Sequence, residues 1–210
     1  MPTDIRAQPY RPLVSGIRIF NEITGSPGTL GCIALDTDDT PYIVSCYHVL
    51  GRSHSSTDVV ANDEPIFQST LALGGGIIAR TRTDMMNAAL DYGAAIIVPA
   101  IAVSTSLLEL DPIQQTATPE VGMRVIKSGA QTGVTLGIVT DVTATLITIE
   151  SLHDAPIDYV LSEKGDSGAI WLDVDTGNAV GLHFSGKDNR IAYARPLGSM
   201  LDALGLRLLE

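Results

Sequence analysis

Apolar residues along this chain fall in short, strand-sized blocks rather than in long helical stripes. The blocks are rich in β-branched residues and cover 14–20, 30–35, 42–46, 66–72, 77–80, 94–98, 123–127, 134–139, 146–149, 169–172, 179–184 and 191–194. Turn-forming clusters recur between them: Gly25-Ser26-Pro27-Gly28, Asp36-Thr37-Asp38-Asp39, Gly74-Gly75-Gly76 and Asp175-Thr176-Gly177-Asn178. A series of short strands without interleaved long helices predicts an all-β barrel or sandwich.

Residues 104–119 break the pattern, with no strand periodicity and two prolines, and read as a linker. They divide an N-terminal unit, 1–103, from a C-terminal unit, 120–210. Residues 1–12 are polar and proline-marked, which predicts an arm on the surface. Near the other end, Leu197, Met200, Leu201, Leu204 and Leu209 recur at mostly helical spacing. A C-terminal helix is expected there, with Gly205 as an early stop.

The chain of 210 residues is 45% hydrophobic, enough for a substantial core and one or two compact domains. No apolar run approaches the length of a membrane span, and residues 1–10 show no basic start followed by a hydrophobic block. A cytoplasmic location is the expectation. The net charge of −11 disfavours nucleic acid and anionic membranes as partners, because a basic footprint is missing. Cys32 and Cys46 form no Cys-x-x-Cys pair and read as buried thiols of a reducing compartment. Asp173 and Asp175 superficially suggest calcium, but too few ligands follow, and a hairpin turn is the better account.

The segment Gly165-Asp166-Ser167-Gly168 has two readings. It is a plain turn between strands, or a serine nucleophile whose flanking glycines let backbone N–H groups face a developing oxyanion. A serine nucleophile needs a base. Of the four histidines, His48 ends the apolar stretch 42–47, a rigid support, whereas His54 and His153 sit in polar, loop-like surroundings. The base in turn needs a buried acid, and Asp91 lies within the apolar stretch 88–98. A buried carboxylate requires a partner. The order His48, Asp91, Ser167 differs from the Ser-Asp-His of α/β-hydrolases and the Asp-His-Ser of subtilisin-like enzymes.

That order, with six motifs, resembles the trypsin/chymotrypsin-like serine peptidases of the compact bacterial type. The motifs are Gly28-Thr29-Leu30-Gly31, Ser45-Cys46-Tyr47-His48-Val49-Leu50, Leu90-Asp91-Tyr92-Gly93-Ala94-Ala95, the glycine-rich run 127–137, Gly165-Asp166-Ser167-Gly168, and Gly181-Leu182-His183-Phe184-Ser185-Gly186. The resemblance implies two six-stranded antiparallel β-barrels with the site between them, followed by the C-terminal helix. It implies peptide hydrolysis through an acyl-enzyme by His48, Asp91 and Ser167. Gly165 and Ser167 would supply the oxyanion hole, and no cofactor or metal is required. The partner is a protein or peptide substrate.

Several features depart from the family. The Ile-Val-Gly-Gly start made by zymogen cleavage is absent, Cys32 and Cys46 do not reproduce the disulfide at the histidine loop, and Tyr47 stands where alanine is usual. Asp166, turned inward beside the nucleophile, then needs another cation, and Lys127 is the expected one. The resemblance places Leu161 and Ser162 at the base of the specificity pocket and His183, Ser185 and Gly186 on its wall. Without an acid at that base, cleavage after Lys or Arg is disfavoured. His183 with Ser162 or Ser185 suits Glu or Gln, as in glutamate-specific bacterial and glutamine-specific viral peptidases of this fold, unless His183 is simply a satisfied core residue. A Glu preference is expected to fade as His183 loses its proton above roughly pH 7. The rival classes are a non-catalytic scaffold that binds peptides and an enzyme switched on by a regulatory protein partner.

Overall fold

The computed structural model describes residues 4–52, 58–68 and 76–210. His54, part of the apolar block 66–72 and most of the Gly74–Gly76 turn lie outside them. The N-terminal half contains β1 (Leu13–Ser15), β2 (Arg18–Asn21), β3 (Pro27–Thr29), β4 (Cys32–Leu35), β5 (Pro41–Ser45), α1 (Tyr47–Leu50), β6 (Pro65–Gln68), β7 (Gly76–Asn87), β8 (Tyr92–Ile97) and β9 (Val103–Leu107). The C-terminal half contains β10 (Arg124–Gly129), β11 (Gly133–Val142), β12 (Ile147–Glu150), β13 (Ile170–Asp173), β14 (Ala179–Lys187), β15 (Ile191–Pro196), α2 (Leu197–Leu204) and β16 (Arg207–Leu208).

The C-terminal half closes into a six-stranded antiparallel barrel in the order β10-β11-β12-β15-β14-β13. Alternation drives the closure. In β12, Ile147 and Ile149 point into the barrel beside Val125, Val139, Leu161 and Trp171, while Glu150 faces solvent. Strand β13 is buried on both faces. Trp171 enters the barrel, whereas Ile170 and Leu172 join the larger core shared with the N-terminal half. This two-sided burial explains why residues 169–172 read as an unbroken apolar run.

The N-terminal half is a curled sheet of eight strands, β16-β4-β5-β8-β7-β6-β2-β3. It differs from a closed six-stranded barrel in two ways. The last strand of the chain, β16, leaves the C-terminal half and pairs with the edge of β4, so the sheet includes residues beyond 119. The stretch expected as linker begins with β9, which pairs in parallel with β1. Helix α2 ends at Gly205, whose φ of +66° is the left-handed conformation that terminates helices. No helix among the described residues is long and apolar enough to cross a membrane.

Candidate active site

His48 lies on the single-turn helix α1. Its N-cap, Cys46, makes no side-chain capping bond. Asp91, in the turn just before β8, takes that role, accepting the His48 backbone N–H at 3.0 Å through Oδ1. The same carboxylate meets the ring, with Nδ1 2.8 Å from Oδ2 and 3.0 Å from Oδ1. Asp91 is buried and adopts φ +57°, a left-handed conformation that Asp tolerates better than most residues. The carboxylate thus fixes both the main chain and the ring orientation of one histidine.

Ser167 sits in the turn before β13. Asp166 N–H donates to Glu163 O, Gly168 N–H to His183 O and Ala169 N–H to Asp166 O. The N–H groups of Gly165 and Ser167 are left without a protein acceptor among the described residues. Glycine is required twice here. Gly165 and Gly168 have φ of +115° and +100°, and a Cβ on Gly168 would lie 2.2 Å from both Ser45 Oγ and Thr29 O. The Ser167 hydroxyl lies 3.5 Å from the Phe184 carbonyl oxygen. His48, Asp91 and Ser167 line one cleft of about 300 Å³, together with Pro27, Lys164 and Phe184.

Lys127 and Asp166 come together with both side chains fully buried, Nζ 3.1 Å from Oδ2. Asp166 also accepts from the N–H groups of Gln131, Thr132 and Glu163 at 2.9–3.0 Å, and from Thr132 Oγ1 at 2.6 Å. Burial alone would push this carboxyl up. The Lys127 ammonium and the donated hydrogen bonds outweigh it and hold Asp166 at about 2. Burial pulls Lys127 the other way, below the usual lysine range, with Asp166 opposing the shift.

A second cavity of about 280 Å³ adjoins the cleft, and Ser162, Ser167, His183, Ser185 and Gly186 line it. Leu161, expected at its base, does not. It is packed in the barrel core, and its carbonyl accepts from Thr135 Oγ1 at 2.8 Å. His183 is 2% exposed, and its Nδ1 has no hydrogen-bond partner among the described residues. Burial, aided by the Lys127 charge, pulls His183 down to about 3. The titration near pH 7 expected from sequence therefore does not apply, and the ring is neutral at neutral pH. Glu163, Lys164 and Asp188 at the mouth of the cavity carry its formal charges.

Cys46, His48 and Asp91 place potential ligand atoms within 4.8 Å of one another. The His48 Nδ1 atom is already engaged by Asp91, and the Cys46 thiol donates to His183 O at 3.1 Å. Burial pushes that thiol well above its usual range, which disfavours the thiolate a metal needs. His153, by contrast, lies in an exposed turn remote from this cluster in sequence and lines neither cavity. Arg195, Thr29 and Arg6 also hold backbone carbonyls around this site, and the sequence does not reveal it. Thr29 Oγ1 links the Ala130 N–H at 2.9 Å to the Gly165 carbonyl at 3.0 Å. No local pattern marks such residues, because the groups that their side chains hold come from other strands and turns, many of them a hundred or more positions away.

No protein-family model matches the chain, and no curated protein matches it by sequence. Solved structures do match. A glutamic-acid-specific serine protease that uses a histidine triad in substrate binding superposes with a TM-score of 0.70 at 20% identity, over 94% of this chain and 100% of that one. A Nocardiopsis protease gives 0.64 at 17% identity, covering 94% and 98%. A Cellulomonas bogoriensis chymotrypsin gives 0.63 at 17%, covering 93% and 97%. The fold is that of the bacterial chymotrypsin-like serine proteases.

Proposed function

We propose that this chain is a serine endopeptidase. Ser167 Oγ attacks the peptide carbonyl, His48 takes its proton and returns it to the leaving amine, and Asp91 holds the imidazole in place. Water then releases the acyl group by the same route reversed. The N–H groups of Gly165 and Ser167 receive the oxyanion. The observation that carries this reading is the His48 Nδ1–Asp91 Oδ2 contact of 2.8 Å within the cleft that Ser167 also lines.

The side chain before the cleaved bond enters the adjoining cavity, and glutamine suits it better than glutamate. With Nδ1 enclosed, a neutral His183 presents its other ring nitrogen to the cavity, as an N–H donor for the carboxamide oxygen, beside the hydroxyls of Ser162 and Ser185. Two acidic residues and one lysine at the mouth add no net attraction for a carboxylate. The glutamic-acid-specific neighbour uses a histidine triad, whereas among the described residues His183 is the one histidine lining this cavity.

A fluorophosphonate probe tests the chemistry. The wild type is expected to label at Ser167, and Ser167→Ala is expected to lose label and about 10⁶ in kcat while staying folded. A folded wild-type protein that never labels would instead be a peptide-binding scaffold or await a partner. Equal hydrolysis by Ser167→Ala would overturn the assignment. A substrate library dominated by Lys, Arg or aromatic residues before the cleaved bond would overturn the specificity.

A further inference from the structure

The hairpin turn between β10 and β11, residues 129–132, is gripped from both sides. On one side it serves the nucleophile turn. Gln131 and Thr132 donate their N–H groups to Asp166, and Ala130 donates to Thr29 Oγ1, which itself donates to Gly165 O. The Gln131 side chain also packs against Gly165, since a Cβ built there would lie 3.1 Å from Gln131 Cβ. On the other side the carbonyls of the same turn are held by two arginines. Arg6 Nε donates to Gly129 O at 2.8 Å, and Arg18 Nη2 donates to Ala130 O at 3.0 Å.

Arg6 comes from the N-terminal arm and is only 9% exposed. Its Nη2 bonds Ser128 Oγ at 3.2 Å and pairs with Glu109, so one guanidinium joins the arm, the end of β10 and the segment after β9. The arm is itself locked. Asp4 Oδ1 caps the short 3-10 turn Ile5–Ala7 by accepting the Arg6 N–H at 3.0 Å, and Asp4 Oδ2 accepts from Arg18 Nη1 at 2.8 Å. Arg6 and Arg18 thereby act as one unit on the turn. A planar fork held at three acceptors is a poor surface salt bridge but a good geometric clamp.

We infer that Arg6 is a positioning residue for the oxyanion hole, holding the 129–132 turn so that Gly165 and Ser167 keep their N–H groups towards the reacting carbonyl. The N-terminal arm is thus part of the working site, and displacing it lowers turnover without closing the substrate cavity. This rests on the reading of Gly165–Ser167 as the oxyanion hole.

Arg6→Ala and Arg6→Lys test it, read by kcat and KM with a peptide substrate and by amide hydrogen exchange. For Arg6→Ala, kcat and kcat/KM are expected to fall together, by about tenfold and short of the roughly 10²–10³ lost when a donor is deleted outright. KM should hold. Arg6→Lys should fall between, since it keeps the charge but not the fork. Exchange should quicken at 129–132 and at 163–168 while the barrel strand β12 stays protected. Unchanged kcat, or unchanged exchange at 163–168, overturns the inference. If Arg6→Ala does not fold, Arg6→Lys decides by the same readouts. A wild-type protein that fails to label with fluorophosphonate defeats the reading of the site, and the exchange data still decide whether arm and turn are coupled.

Discussion

Arg195 lies over the ring of Phe184, its guanidinium carbon 4.1 Å from the ring centroid, while its Nε donates to Leu90 O at 2.7 Å. A residue of the C-terminal barrel thus holds the carbonyl immediately before Asp91, and a second hydrogen bond from Nη1 to Thr145 O at 2.7 Å fixes the guanidinium. The left-handed backbone at Asp91 is supported from across the interface between the halves. Arg195→Lys keeps the charge but loses the stacking and one bond. It is expected to lower kcat/KM by up to about 10²-fold through the loosened His48–Asp91 pair, with stability falling by roughly 1.5–3 kcal/mol. Steady-state kinetics and urea unfolding of the same variant check both.

Asp91→Asn keeps the shape of the side chain but offers its amide N–H₂ where an acceptor is needed. The expected result is a fold left intact and a kcat lower by about 10⁴, because the imidazole is held in the wrong tautomer. A loss confined to KM would show that Asp91 does not act through His48.

Lys127→Met removes one half of a fully buried pair and leaves Asp166 charged within it. The expected cost is about 3–5 kcal/mol in chemical denaturation. A cost near zero would mean that the other four hydrogen bonds at Asp166 suffice without the lysine.

The buried, neutral His183 has consequences for pH. Its folded value of about 3 lies below the ordinary 6.5, so between these limits the unfolded chain binds a proton that the folded chain does not. Stability is full above about pH 6.5 and falls as pH drops towards 3. Asp166, held at about 2 against an ordinary 3.8, extends the loss from about pH 4 to 2. His183→Asn should flatten the wild-type stability curve between pH 6.5 and 4. The Gln-over-Glu selectivity should meanwhile stay level from pH 6 to 9. A selectivity that changes across pH 7 would show a titrating ring.

Much of the architecture was legible because alternation and turn chemistry are local. The barrel strands from β10 to β15 lie where the apolar blocks fall, and His48, Asp91 and Ser167, named from their neighbours and chain order, line one cleft. Other features left no local trace. Two residues cannot display a period, so β16 was invisible within a stretch that reads as helix. In β9, Ser104, Thr105 and Ser106 look like linker because only part of the strand packs inward. Leu161 follows the family's position but turns into the barrel. Arg6 and Arg195 carry no signal of their roles, since nothing near them in sequence announces a carbonyl or ring supplied from about a hundred residues away or a neighbouring strand. The neutrality of His183 is a property of its burial, which residue type does not reveal.

The pairing of β16 with β4 has a mechanical consequence. The two halves are tied once through the covalent connection after β9 and again where the chain returns to the N-terminal sheet. A body tied at both ends resists opening as a clamshell, so the groove between the halves has a set width. Under the proposed function, a peptide would then be threaded into it as an extended strand. A single nick in the exposed stretch 114–116 would leave two fragments latched to each other, and they should travel as one particle in gel filtration.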